Sequence, residues 1–518
     1  MSQYPRDVKG AACRVTQTGI DRGIVLRWGI LAPGCRNESV TLARQQFTKG
    51  KHGCLIIPGM ASRQEKMTAL VPPAGDDPEA HLAGLGLEIL HLAIPDTSGT
   101  LRQKRFRLPA AAGLIRDGWS FIEAVQWWDT ADGTPGDRGW THAPAQVDLT
   151  SLRRFPFEPA AAVALADFTG PAGELSARRV LARLVDRAAA AGLTAKLAFE
   201  IEVILLEGTS DEQAADGYLH PRAVAAANRC WSGLTLASHA DLLRDLDGTL
   251  AAGDVRLDHL CAELGPGCLE LATSPRDPLT AADDLAFLKV YTRAWCYRAG
   301  RTASFMAKLG DGFPGLGGHP VLSLHDATSG ADALAGPGEE HGLSKLGLHA
   351  VAGIVRALPE LAVLAAPTVN SYRRLAPGNW APRTATWGLG NYTCGLRVVP
   401  SARGPSGATR LELRVPGADV NPWLAAALVL GSALCGVERR WLPPPPVTGP
   451  AREIVPDTAG ELPRTLLEAA ERFAASDIAR DLVGEAFASH YAATRVEEDR
   501  QMRLLVPPAE RARYLDHV

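Results

Sequence analysis

The chain has 518 residues, 46% of them hydrophobic and 21% charged, with a formal net charge of -3. That length calls for two or three domains and supports sizeable cores. The near-balanced charge excludes an electrostatic nucleic-acid binder and an acidic disordered chain, so no nucleic-acid partner is expected.

The opening residues lack the basic, apolar and small-residue zones of a secretory leader, and no run approaches the roughly 20 apolar residues that cross a bilayer. The expectation is a soluble, cytoplasmic protein without a membrane partner. Nine cysteines, an odd number, lie between Cys13 and Cys435 without a C-x-x-C pair. They read as reduced thiols, mostly small core residues, rather than a disulfide framework or zinc site.

In chain order, residues 1–80 alternate apolar patches (Gly23 to Leu31, Cys54 to Pro58) with Gly, Pro and charge. They form an N-terminal extension of unassigned role, closed by the breaker-rich Val71 to Pro78. Residues 81–165 carry strand-like runs at Leu87 to Ile94 and Gln146 to Leu149, with a turn at Asp96 to Gly99, and read as a small α+β domain. Residues 166–518 follow as a second, larger mixed domain. Helical periodicity marks Leu175 to Ala191, with Gly192 as the stop, then Leu279 to Ala299, Leu343 to Leu358, Pro422 to Val437 and the amphipathic C-terminal part from Leu462. Strands are expected at Lys196 to Leu206, Thr302 to Lys308 and Arg410 to Val415.

Four pieces of this second domain carry chemistry. In Phe199-Glu200-Ile201-Glu202-Val203, period two places both acids on one face and the apolar residues on the other. Adjacent carboxylates repel, so a basic side chain or a metal is the natural compensation; a half-exposed strand with solvated acids reads the same way. Glu263 and Glu270 bracket a Gly265-Pro266-Gly267 turn that can fold both toward one point. His319 ends the flexible Gly315-Leu316-Gly317-Gly318, either as a metal ligand or as a structural histidine. In Arg410-Leu411-Glu412-Leu413-Arg414 two bases and an acid share a face, as they also would in a surface ladder of ion pairs.

Taken in order, with Asp277-Pro278-Leu279, Phe305 to Lys308, Asn370-Ser371-Tyr372-Arg373-Arg374, Pro377-Gly378 and Arg414-Val415-Pro416 leading to Asn421-Pro422 between and after them, these pieces closely resemble the glutamine synthetase family. The resemblance covers roughly residues 85 to 518 and is closest to the branch that makes γ-glutamyl amides. It implies an α+β protein, with an N-terminal β-grasp-like domain and a catalytic domain built on a curved antiparallel sheet flanked by helices. It also implies a homo-oligomer, typically a dodecamer of two hexameric rings with sites between subunits. Carried over, it implies a first metal on Glu202, Glu263 and Glu270 and a second on Glu200, His319 and Glu412. An oxygen-rich set with one imidazole suits Mg²⁺ or Mn²⁺. The resemblance places Gly317, Arg374 and Arg414 at an amino-acid substrate and Ser323, Arg397 and Arg410 along ATP. The implied reaction activates a carboxylate as an acyl phosphate, which an amine then attacks.

Departures from the family bear on the substrate. Trp380 stands where the family has its flap glutamate, and Phe121-Ile122-Glu123-Ala124, beside Trp127 and Trp128, replaces its ammonium-holding segment. These changes favour an amine with apolar or aromatic surface, or a cation lying against an indole face. Tyr392 replaces an arginine that approaches the transferring phosphate, Val321 replaces a histidine, and Leu316 a small polar residue. Arg397, Arg410, Trp380 and Tyr392 are thus the expected catalytic positions. The alternatives are a catalytically impaired binding or regulatory relative, or a true glutamine synthetase using ammonia. Gly310 to Gly315 matches a dinucleotide-loop pattern by letter, but Pro314 and the glycines after it do not open a helix.

Overall fold

The computed structural model describes residues 70–72, 77–133, 140–226, 228–401, 407–451 and 460–515. The apolar patches expected in the first 69 residues, and residues 73–76 of the breaker-rich stretch, lie outside them. Asp77 caps a short helix, Pro78–Gly84, its carboxylate accepting from the Glu79 and Ala80 N–H groups. The chain then enters β1 (Ile89–Pro95), buried along its whole length, and β2 (Leu101–Arg107). Between them lies the expected turn, tied by Asp96 accepting from the Ser98 and Thr100 N–H groups.

A helix, Leu108–Asp117, leads to β3 (Trp119–Ile122), β4 (His142–Arg154) and β5 (Ala161–Phe168). These strands form one sheet in the order β2-β1-β5-β4-β3, with β1 and β5 parallel at its centre and the other neighbours antiparallel. Leu108 and Ala111 of the helix join Leu90, Leu92, Phe121 and Phe168 in its core. A helix on a mixed sheet with a parallel central pair is a grasp-like arrangement, as expected. β4 extends well beyond Gln146 to Leu149 because its register shifts between Asp148 and Arg153, a bulge that lets one long strand bend and continue.

The second sheet begins after the helix Ala177–Ala190, which Ser176 caps and after which Gly192 turns with φ +73°. Its strands are β6 (Leu193–Glu207), β7 (Leu257–Ala262), β8 (Cys268–Thr273), β9 (Arg301–Ser304), β10 (Gly318–Asp326), β11 (Trp387–Leu389), β12 (Leu396–Val399) and β13 (Arg410–Leu413). The order is β11-β12-β13-β10-β6-β8-β7, with β9 on the far end of β6; all pairs are antiparallel except β11 with β12. The strand expected through Lys308 stops at Ser304. Beyond it the chain turns, Met306 is exposed, and Lys308 makes an isolated bridge to Gly315. Gly310 to Gly315 opens no helix.

Helices Pro278–Arg298, Lys345–Ala365 and Pro422–Arg439 supply apolar residues to the core shared with this sheet. Lys345–Ala365 is apolar and long enough to cross a bilayer, but it is mostly buried against Pro422–Arg439 and serves as a core helix. Buried charges join the first sheet to the helices that flank the second. Arg153 of β4 donates to Asp284 at 2.8 Å, and Arg178 bridges Asp148 and Asp167 to Asp283. Removing one partner of such a set leaves the other charge stranded.

Candidate active site

The site is organised by β6. Phe199, Ile201 and Val203 are fully buried, and burial of such side chains stabilises by about 1.5–3 kcal/mol each. Because the strand alternates, this fixes Glu200 and Glu202 on the opposite face. Register then selects their neighbours: Glu200 stands opposite His319 of β10, and Glu202 opposite Glu270 of β8. On the next strand over, Glu412 of β13 faces Val321 on one side and Arg397 of β12 on the other.

Glu200, His319 and Glu412 each offer a ligand atom, and these atoms all lie within 4.8 Å of one another. His319 Nδ1 is buried, lies 3.7 Å from Glu412 Oε1, and has no hydrogen-bond partner among the described residues. Burial, with Arg414, Arg374 and Arg397 nearby, holds this imidazole well below its ordinary pKa, so it is neutral and one of its two ring nitrogens carries a free lone pair. Burial and the Glu412 carboxylate push Glu200 up to about 7.

The second acid group surrounds Glu202. The Gly317 N–H donates to Glu202 Oε2 at 2.7 Å. A Cβ at Gly317 would meet the His319 imidazole and come within 3.1 Å of Glu202 Oε1, so glycine is required here by space. Glu263 follows β7 at the head of the turn in which Gly265 and Gly267 take φ of +106° and +62°. Its Oε2 accepts from the Leu264 N–H at 2.8 Å. Burial, then the charges of Glu200, Glu202, Glu263 and Glu412, push Glu270 up to about 8. Mutual repulsion among these acids is what a divalent cation relieves. The orphaned nitrogen, the carboxylate convergence and the oxygen-rich donor set fit Mg²⁺ or Mn²⁺.

The cations of the site are arranged around Glu412 and Tyr392. Arg397 and Arg414 each bond one oxygen of Glu412. Both guanidinium groups lie over the Tyr392 ring, at 4.0 and 5.2 Å from its centre, and Arg414 Nε donates to the Tyr392 carbonyl. Arg374 is buried, donates to the Val415 and Arg414 carbonyls, and is lowered to about 10 by burial. Arg410, expected on the same face as Glu412 and Arg414, is exposed at the start of β13. Ser323 is buried in β10 with its hydroxyl 3.1 Å from His325 Nε2.

Trp380 lies in the loop after helix Val369–Arg374 and is 78% exposed. Its neighbour Asn379 anchors the loop through Lys308 and the Arg373 carbonyl. Trp127 packs edge-on against His490, and Trp128 lies under Arg102.

Residues 174–514 match the family model described as glutamine synthetase, catalytic domain. The chain belongs to the glutamine synthetase family. It is 32% identical to glutamate–isopropylamine ligase of a Pseudomonas species, over 83% of this chain and 95% of that one. It is 33% identical to gamma-glutamylethanolamide synthetase of Streptomyces coelicolor, over 83% and 93%. It is 31% identical to gamma-glutamylputrescine synthetase of Escherichia coli, over 82% and 90%. A solved structure, the GmaS/ADP complex, superposes with a TM-score of 0.73 at 26% identity, covering 85% of this chain and 99% of that one. As a member of the glutamine synthetase family the protein is an ATP-dependent carbon–nitrogen ligase, and the family uses divalent metals generally.

Two features of this glutamine synthetase-type site escaped the sequence pattern. The first is the stacking of both arginines on Tyr392. The second is the pair His259 and Cys261, which stand on β7 beside Glu270. Alternation within β7, had that strand been recognised, would have placed the imidazole and thiol on one face.

Proposed function

We propose that the protein joins the side-chain carboxylate of glutamate to an amine other than ammonia, giving a γ-glutamyl amide. The observation that carries this reading is Trp380, an exposed indole on an anchored loop where the family has a proton-accepting glutamate. An indole cannot take a proton from ammonium, but it can cover an alkyl or aryl amine or face its cationic form. The names of the relatives, a glutamate–isopropylamine ligase, a gamma-glutamylethanolamide synthetase and a gamma-glutamylputrescine synthetase, support a non-ammonia amine.

In this reading Glu202, Glu263 and Glu270 hold one divalent ion and Glu200, His319 and Glu412 another, and these ions supply charge neutralisation for the phosphates of ATP. Glu412 at present shares its oxygens with Arg397 and Arg414. With those oxygens turned to a cation, Arg397 would be free to bind phosphate and Arg414, with Arg374, to bind the amino-acid carboxylate. Gly317 lets the backbone approach that substrate, and Ser323 and Arg410 lie along the nucleotide. We further propose a homo-oligomer, a dodecamer of two rings, in the cytoplasm.

Tyr392 and Val321 motivate the second reading, a binding relative without turnover. The Arg397 guanidinium stacked on Tyr392 supports the ligase, since it keeps a cation beside the position of the family's lost arginine. The test is ADP formation with Mg²⁺ or Mn²⁺, ATP and glutamate across ammonia and alkyl, hydroxyalkyl, aryl and polyamine substrates, with products identified by mass. Turnover with one amine class and little with ammonia is expected, and Trp380→Ala should raise KM for that amine more than for glutamate. Turnover with ammonia alone would make the protein a glutamine synthetase, and silence across the panel would leave the binding relative.

A further inference from the structure

Around the acid groups, the donors left unused by the proposed metal sets are concentrated at one edge. β7 is the outer strand of the large sheet, and its register sets Cys261 opposite Glu270 and His259 opposite Ala272. Residues 259 and 261 are two apart, so imidazole and thiol emerge on the same face. His259 Nε2 lies 3.5 Å from Glu270 Oε1, and Cys261 Sγ lies 3.8 Å from the same oxygen. Around a tetrahedral zinc, with bonds of about 2.0–2.3 Å, nitrogen–oxygen and sulfur–oxygen separations are about 3.3 and 3.6 Å. Two of the three sides of a ligand triangle are therefore already near those lengths. The imidazole is half exposed and can turn toward the thiol, and its Nδ1 lies 3.3 Å from Asp258 Oδ2, the carboxylate support that zinc-bound histidines commonly have.

We propose that His259, Cys261 and Glu270 form a site for a soft divalent cation such as Zn²⁺, and that its occupation inhibits the ligase by drawing Glu270 away from the activating ion. The inhibition rests on the reading of Glu270 as a ligand of that ion; the binding does not. Thiolate and imidazole favour Zn²⁺ over Mg²⁺, whose preference is for oxygen. On binding, the Cys261 thiol gives its proton to solvent and a metal–sulfur bond forms, with no change of oxidation state. A single strand edge would thus make the enzyme sensitive to soft-metal excess while leaving its Mg²⁺-dependent state intact.

The experiment titrates Co²⁺, a spectroscopic stand-in for Zn²⁺, into the chelator-stripped full chain and reads the near-ultraviolet thiolate-to-cobalt band. The band is expected in the parent protein and in Cys230→Ser, whose thiol sits beside Glu263 instead. It should vanish in Cys261→Ser and require at least tenfold more Co²⁺ in His259→Asn, with Zn²⁺ abolishing it in the parent. In parallel, the Zn²⁺ concentration that halves Mg²⁺-supported ADP formation should rise at least tenfold in both variants. A band that survives Cys261→Ser, or is lost only with Cys230→Ser, overturns the proposal, and His259→Asn decides the matter if Cys261→Ser fails to fold. Activity without a band would sink this site alone. A band without activity on any amine would sink the ligase reading and leave the site standing.

Discussion

The acid groups predict a specific coupling between protons and metal. In the cation-free protein Glu200 titrates near 7 and Glu270 near 8, burial being the larger cause for each and neighbouring carboxylates the next. At pH 6 they therefore hold about two protons between them, and above pH 9 about 0.1. His319 is already neutral and contributes none. Metal binding at both groups must expel those protons, so the apparent affinity of each ion should rise about tenfold per pH unit below pH 6.5, about 100-fold for the pair, and level off above about pH 9. The sign for stability is the opposite. Both folded-state pKa values are raised, so protonation favours the cation-free fold fully below the ordinary carboxylate range. That contribution is lost as pH climbs through 7 and 8. Isothermal titration of Mn²⁺ at pH 6 in two buffers of different ionisation enthalpy counts the protons directly, and Glu202, raised by burial in the same acid group, adds to the count. Identical heats in the two buffers would refute the reasoning, since they would mean that no protons leave and that these acids do not bind the ion.

Glu412→Gln removes a proposed ligand and strands Arg397 and Arg414, so ADP formation should fall at least about 100-fold, and urea denaturation should show a loss of about 3 kcal/mol. Equal activity would show that Glu412 is only an ion-pair partner. Gly317→Ala pushes a methyl group into His319 and Glu202, so Mn²⁺ affinity by titration should weaken about tenfold or more, and the overpacking should lower stability by about 1–3 kcal/mol. Tyr392→Phe keeps the ring under both arginines and should retain turnover. Tyr392→Ala loses two contacts worth about 0.5–1 kcal/mol each, lowering kcat/KM for glutamate roughly 5- to 30-fold. Equal behaviour of the two variants would remove the ring from the account.

What was legible in the chain follows from the physics each residue obeys. The β6 face could be read because Phe199, Ile201 and Val203 are apolar without exception, and burying them leaves the acids one direction to point. The convergence of His319 and Glu412 on Glu200 could not be read from period, because it depends on the order of β13, β10 and β6 in the sheet, a non-local choice. Only the ordered resemblance of the motifs supplied it. The strand expected through Phe305 to Lys308 failed for a related reason: its alternation was adequate, but the bridge from Lys308 to Gly315 draws the chain out of the sheet after Ser304.

The cysteines show the limit most clearly. Reading them as small core residues holds for Cys268, Cys296, Cys394 and Cys435, all buried. It fails for Cys261, half-buried on β7, and for Cys230, exposed beside Glu263. β7 reads Leu-Asp-His-Leu-Cys-Ala, with few β-branched or aromatic residues and no alternation strong enough to announce a strand. It is held instead by pairing with β8, whose Leu269 and Leu271 are buried. A strand kept in place by its neighbour does not need apolar residues on its outer face, and this one carries an imidazole and a thiol there. Local signals therefore weaken at the same positions where the sheet has room for chemistry.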